Sequence, residues 1–123
     1  MQPAVVQSSD AAAVLTRAVL RASDLLGLSR TALSRILGVS VASASRLGKQ
    51  RLLDPASKEG ELSLLFLRAF RSLDSLLGGG EGASRAWLHA DNRQVGGVPA
   101  VEMEKVAGLV RVVEYLDAMR AKS

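Results

Sequence analysis

The stretch RTALSRILGVSVASASRL, from Arg30 to Leu47, reads as two short helices folded over a glycine. Ser29 can cap the first and Ser40 the second, because a serine hydroxyl accepts the free N–H groups of a first turn. Leu33 and Leu37 lie one turn apart on the inner face of the first helix, while Val39, Ala44 and Leu47 do the same for the second. Gly38 supplies the turn between them and Gly48 stops the second helix. The short interval lets the two helices pack at a steep angle.

This arrangement resembles the helix-turn-helix of phage-repressor and Xre-type regulators. Ser34 stands where that family usually places alanine, and it is small enough to keep the helices close. The resemblance implies that Ser40, Val41, Ala42, Ser45, Arg46 and Lys49 face outward toward base edges and phosphates. Arg46 is the candidate for a bidentate guanine contact, whereas Lys49, Gln50 and Arg51 are read as backbone anchors. The competing reading is two core helices with a solvated basic face. Against it, residues 28–53 hold five bases, Arg30, Arg35, Arg46, Lys49 and Arg51, and no acid. A true helix-turn-helix that has lost strong DNA binding stays compatible with the Ala- and Ser-rich second helix.

Working outward, 123 residues make one ordinary domain or two very small ones. The chain is 48% hydrophobic but only 3% aromatic, and it shows little alternation of apolar and polar residues. These features predict an all-α fold. The net charge is +4, yet residues 54–123 carry nine bases and ten acids, so the excess is N-terminal and suits a polyanion. With no cysteine, disulfides and thiolate zinc sites are excluded, which fits a reducing, cytoplasmic setting. The start MQPAVVQSSD lacks the basic and apolar regions of a signal peptide. The longest uncharged run, Ile36 to Ser45, is ten residues, too short to span a bilayer.

Residues 1–9 are expected to be flexible, and residues 10–53 to form the helix-turn-helix bundle. Asp10 can cap a first helix whose apolar residues Val14, Leu15, Ala18, Val19, Ala22, Leu25 and Leu26 recur every three or four positions, and which ends at Gly27. Asp54-Pro55 is read as the start of the longest helix, with one core-facing stripe of Leu62, Leu65, Phe66, Ala69, Phe70, Leu73, Leu76 and Leu77. Residues 54–82 thus form a connecting helix and a hinge at GGGEG, where successive glycines disfavour helical order. Residues 83–123 form a small helical domain: a short helix from Ser84 to His89, a turn, and a last helical stretch from Pro99 to about Arg120, bent near Gly108.

The rare residues cluster in WLHADNRQVGGVP, residues 87–99. His89 and Asp91 invite a base with an orienting carboxylate, but no second histidine, cysteine or serine with a matching base accompanies them. A lone histidine among scattered carboxylates also lacks a metal-ligand pattern, so no catalytic residue, metal or cofactor is expected. Trp87 with Leu88 anchors the small helix, Asn92 pins the loop, and Gly96, Gly97 and Pro99 set the turn.

On the last helix the apolar residues from Val106 to Met119 span an arc of roughly 220° at 100° per residue. Leu109, Val113 and Leu116 suffice for one core, which leaves Val112, Tyr115 and Met119 as a second strip. Either a partner or other helices of the chain can cover it, and spacing does not choose between them.

The order Trp87-Leu88, Asn92, Gly96-Gly97-Val98-Pro99, Gly108-Leu109, Val112-Val113 and Tyr115-Leu116 resembles the C-terminal toxin-binding domain of Xre/MbcA/ParS antitoxins. With the upstream helix-turn-helix and long helix, the resemblance covers about Leu26 to Arg120. It departs in AVEMEKVAGL, which lacks the small polar residues expected before the glycine.

The resemblance implies a bacterial antitoxin, not an enzyme, whose partner is a RES-domain toxin that consumes NAD or transfers its ADP-ribose. Val112, Tyr115 and Met119 would meet the toxin, with Arg111, Arg120 and Lys122 competing for a site that accepts phosphates. It further implies a homodimer on double-stranded operator DNA within a larger toxin–antitoxin complex, autoregulating the operon. The alternative is a free-standing transcription regulator whose C-terminal half dimerises or senses a ligand.

Overall fold

A computed structural model describes residues 7–78 and 82–123. Seven helices occur among them: α1 Gln7–Leu25, α2 Arg30–Leu37, α3 Val41–Arg46, α4 Lys58–Leu76, α5 Ala83–His89, α6 Pro99–Glu102 and α7 Val106–Lys122. The all-α expectation holds. Residues 79–81, the centre of the expected glycine hinge, lie outside the described residues, as do residues 1–6.

The helix-turn-helix forms as its sequence dictates. Ser29 Oγ accepts from the Ala32 N–H and Ser40 Oγ from the Ser43 N–H, each at 3.0 Å. Gly38 takes the left-handed conformation with φ of 71°, which an L side chain resists, and the Val39 N–H closes on the Ser34 carbonyl at 3.0 Å. Ser34 is buried, and its hydroxyl donates to the Thr31 carbonyl, so it packs without an unpaired polar atom.

Helix boundaries differ from expectation in three places. Helix α1 already includes Gln7, so residues 7–9 are helical, and Asp10 sits in the first turn rather than at the cap. Its carboxylate still suits the positive end of the helix dipole. Helix α4 starts at Lys58 because Asp54 spends its side chain on the Ala56 N–H, and Ser57 is the cap that accepts from Gly60. The C-terminal stretch breaks at residues 103–105, ahead of Gly108. That glycine lies inside the first turn of α7, where a Cβ would stand 1.9 Å from the Glu102 carbonyl oxygen. It permits α6 and α7 to cross closely, and it does not bend α7.

Helix α4 is the centre of the molecule, packed against α1, α2 and α7. A single core joins Val19 and Leu26 of α1, Leu33 and Leu37 of α2, and Phe66 and Leu73 of α4 to Leu88, Met103, Leu109 and Leu116. Each such fully buried large side chain contributes about 1.5–3 kcal/mol relative to exposure. The long helix is therefore a shared wall and not a spacer. Thr16 of α1 holds the segment that leads into it: its hydroxyl donates to the Ala12 carbonyl and accepts from the Leu53 N–H, both at 2.7 Å, in a buried setting.

Candidate functional site

Two faces of this core hold the candidate site residues. On the first, α3 and the following loop leave Ser40, Val41, Ala42, Ser45, Arg46, Lys49 and Gln50 exposed, while Ala44 and Leu47 anchor the helix in the core. The loop is drawn tightly over the end of α3. The N–H groups of Lys49, Gln50 and Arg51 all point to the Arg46 carbonyl, at 3.0, 3.1 and 3.2 Å, and the Gly48 N–H meets the Arg51 carbonyl at 2.9 Å. Lys49 and Gln50 are thereby held beside the exposed side of the helix.

The five bases of this segment are not equivalent. Arg30 pairs with Asp24 at 3.3 Å, Arg35 approaches Glu104 at 4.0 Å, and Arg51 pairs with Glu59 at 2.6 Å. Arg51 is half-buried, and its Nη2 donates to Glu59, which ties the loop to α4. Among the described residues, Arg46 and Lys49 have no acidic partner within ion-pair distance.

Tertiary packing adds a base that sequence reasoning misses. Arg17 on α1 lines a hollow shared with Leu20, Gly48 and Leu52, which sets an exposed cation beside the loop after α3. Arg21 follows one turn later, also exposed. The one signal in the chain is the i, i+4 spacing of these two arginines, and it lies outside the acid-free segment.

The second face is built around α5 and α7. Trp87 and Tyr115 stack with centroids 6.3 Å apart and planes 12° from parallel, and both remain half-buried, as does Met119. Leu88 is buried beneath Trp87's helix. Val112 is corrected, since it is 0% exposed and belongs to the core between α7 and α4. The second apolar strip is thus partly covered by the chain's own helices. Pro99 opens α6, and Asn92 pins the preceding loop: its Oδ1 accepts from the Gln94 N–H at 2.9 Å, and its backbone exchanges hydrogen bonds with Gly97 at 2.9 and 3.0 Å. Gly96 takes a left-handed φ of 91° at this turn.

The cations of this face are also sorted by their contacts. Arg111 reaches the Val95 carbonyl at 3.4 Å and Glu102 at 3.5 Å. Arg120 donates to Ser72 Oγ at 3.3 Å, and Ser72 donates to Asp117 at 2.9 Å, where Arg68 also pairs. Lys122 is exposed in the last turn of α7, with no acidic partner among the described residues. The closing RAKS is therefore helical up to Lys122 and not a loose tail. Val101 and Val106, 55% and 62% exposed at the α6–α7 corner, form an apolar prominence that periodicity does not foretell.

His89, at the end of α5, meets the body of the molecule through one ring nitrogen. Its Nε2 lies 3.0 Å from the Leu26 carbonyl, a structural contact at the end of α1. No helix among the described residues is long and apolar enough to cross a membrane.

No curated protein matches the chain. The model of the antitoxin Xre-like helix-turn-helix domain matches residues 6–68, and that of the antitoxin Xre/MbcA/ParS C-terminal toxin-binding domain matches residues 72–122. The two matches meet inside α4, the helix that both faces share. The exposed α3 surface and the aromatic face of α5 and α7 thus fall in a DNA-binding-type domain and a toxin-binding domain, and the chain belongs to the Xre/MbcA/ParS family of antitoxins.

Proposed function

We propose that the chain neutralises a RES-domain toxin, an enzyme that consumes NAD or transfers its ADP-ribose, by covering the toxin's active site with its C-terminal portion. The same chain, as a dimer, binds the promoter of its own operon through α3 and represses it. The observation that carries this reading is the placement of two separate surfaces on one continuous core: an α3 face with Arg46 and Lys49 unpaired, and an aromatic face at Trp87 and Tyr115.

On the DNA side, Arg46 reads base edges while Lys49, Gln50 and Arg17 hold phosphates, with Ser40, Val41, Ala42 and Ser45 in contact distance of the groove. On the toxin side, Tyr115, Trp87 and Met119 supply apolar contact, and Lys122 supplies a cation for a site shaped to accept phosphates. Arg111 and Arg120 act there only by exchanging their present partners.

Co-expression with the RES-domain protein encoded beside it tests the reading. The expected result is co-purification, loss of NAD consumption by the toxin, and retardation of promoter DNA by the antitoxin. A chain that retards the promoter but neither captures nor inhibits such a protein is a free-standing regulator, and the antitoxin mechanism falls.

A further inference from the structure

Between α1 and α4 runs an open groove of about 470 Å³, walled by Val14, Leu15 and Ala18 on one side and Leu64 and Leu67 on the other. Its apolar side chains are not all sunk into the floor. Val14 is 58% and Leu64 53% exposed, whereas Leu15 and Leu67 are buried beneath them. The patch therefore carries both protruding apolar groups and the hollow that would receive them. Neither surface proposed above uses it.

Two charges stand on its rim. Asp10 lies one turn before Val14 on the same stripe of α1, and Arg71 continues the Leu64, Leu67 stripe of α4. Both are exposed, and neither has an ion-pair partner among the described residues. A partner matched to this patch needs apolar knobs between one cation and one anion. The patch itself has that composition, which is what a two-fold contact between identical surfaces requires.

Its place in the fold is consistent with operator binding. The loop after α3 packs against the flank of α1 that carries Thr16, Arg17 and Leu20, while the groove lies on the flank with Asp10, Val14 and Ala18. The groove and the loop after α3 thus occupy different flanks of α1.

We infer that the α1–α4 groove is the homodimer surface, with Val14 and Leu64 of each copy seated in the other's hollow and Asp10 of one copy facing Arg71 of the other. This rests on the operator reading only for the need of two half-sites. Self-association is measured without DNA, so the two readings fail separately.

Sedimentation of the full chain tests it. The expected result is a dimer whose self-association weakens about tenfold or more in Val14→Glu and in Leu64→Glu, since an unpaired carboxylate would enter an apolar contact. Asp10→Arg and Arg71→Asp each weaken it, and combining them restores it. Both apolar substitutions are at exposed positions, and thermal melts compare their folding with the parent. A monomeric parent chain overturns the proposal, as does a dimer indifferent to the glutamates or a charge swap without recovery. A monomer whose Val14→Glu variant loses the toxin assigns the groove to the toxin and overturns it too. A groove-dependent dimer that ignores promoter DNA supports this surface while removing the operator reading.

Discussion

His89 Nε2 lies 3.0 Å from the carbonyl oxygen of Leu26, so the chain's only histidine joins α5 to the end of α1 across 63 positions of sequence. Arg85, one turn earlier, reaches the carbonyls of Asp24 and Leu25 at 3.2 and 3.4 Å. The last carbonyls of a helix carry the negative end of its dipole, so donors from α5 serve those of Leu25 and Leu26, while that of Asp24 also accepts from the Gly27 N–H at 3.1 Å. His89→Ala and Arg85→Ala should each cost about 0.5–1.5 kcal/mol, measured by urea unfolding. An unchanged midpoint in the double variant would show that water serves those carbonyls equally well.

Gly108→Ala should be far more damaging. The added methyl would overlap the Glu102 carbonyl, and backbone cannot swing aside as a long side chain can. We expect a loss of about 2 kcal/mol or more and failure of toxin capture at temperatures where the parent chain binds. Thermal unfolding and co-purification check it; normal stability would mean that α6 shifts freely away from α7.

The arginines flanking the α3 turn should separate by function. Arg46→Ala is expected to weaken promoter binding by about 1–3 kcal/mol and relax base preference, with toxin capture intact. Lys49→Ala and Arg17→Ala should weaken binding to all sequences and lower the slope of affinity against salt by about one each. Arg51→Ala should instead lower stability, because it leaves the half-buried Glu59 without its partner. A salt-slope change for Arg51→Ala equal to that for Lys49→Ala would place Arg51 on phosphate after all.

On the opposite face, Tyr115→Ala should lose the stacking with Trp87, and Lys122→Glu should oppose an anion-accepting site. Each is expected to weaken toxin inhibition about tenfold or more, read as the antitoxin concentration that halves NAD consumption. Deletion of residues 120–123 should weaken it as well, although it also removes the Arg120 to Ser72 contact. Full inhibition by both Lys122→Glu and the truncated chain would remove the C-terminal cations from the mechanism.

Local chemistry is legible in the amino-acid sequence by itself. Ser29, Ser40 and Gly38 act within a few residues of themselves, so their caps and turn emerge from short-range geometry. The apolar periodicity of α1 and α4 likewise marks Leu15, Val19, Leu26, Phe66 and Leu73 as inward, although Val14 and Leu25 of the same series stand exposed. Asn92 belongs to the same class, since its hydrogen bonds close within five positions.

Tertiary structure decided what depends on neighbours remote in sequence. Val112 and Tyr115 share a wide apolar arc, but only the packing of α4 against α7 buries one and leaves the other half open. Arg51 and Lys49 are two residues apart with the same charge, and Glu59, brought alongside by the turn into α4, pairs with Arg51 alone. A sequence shows which side chains can be buried or charged; burial and ion pairing are properties of pairs of segments, and those pairs exist only once the helices meet.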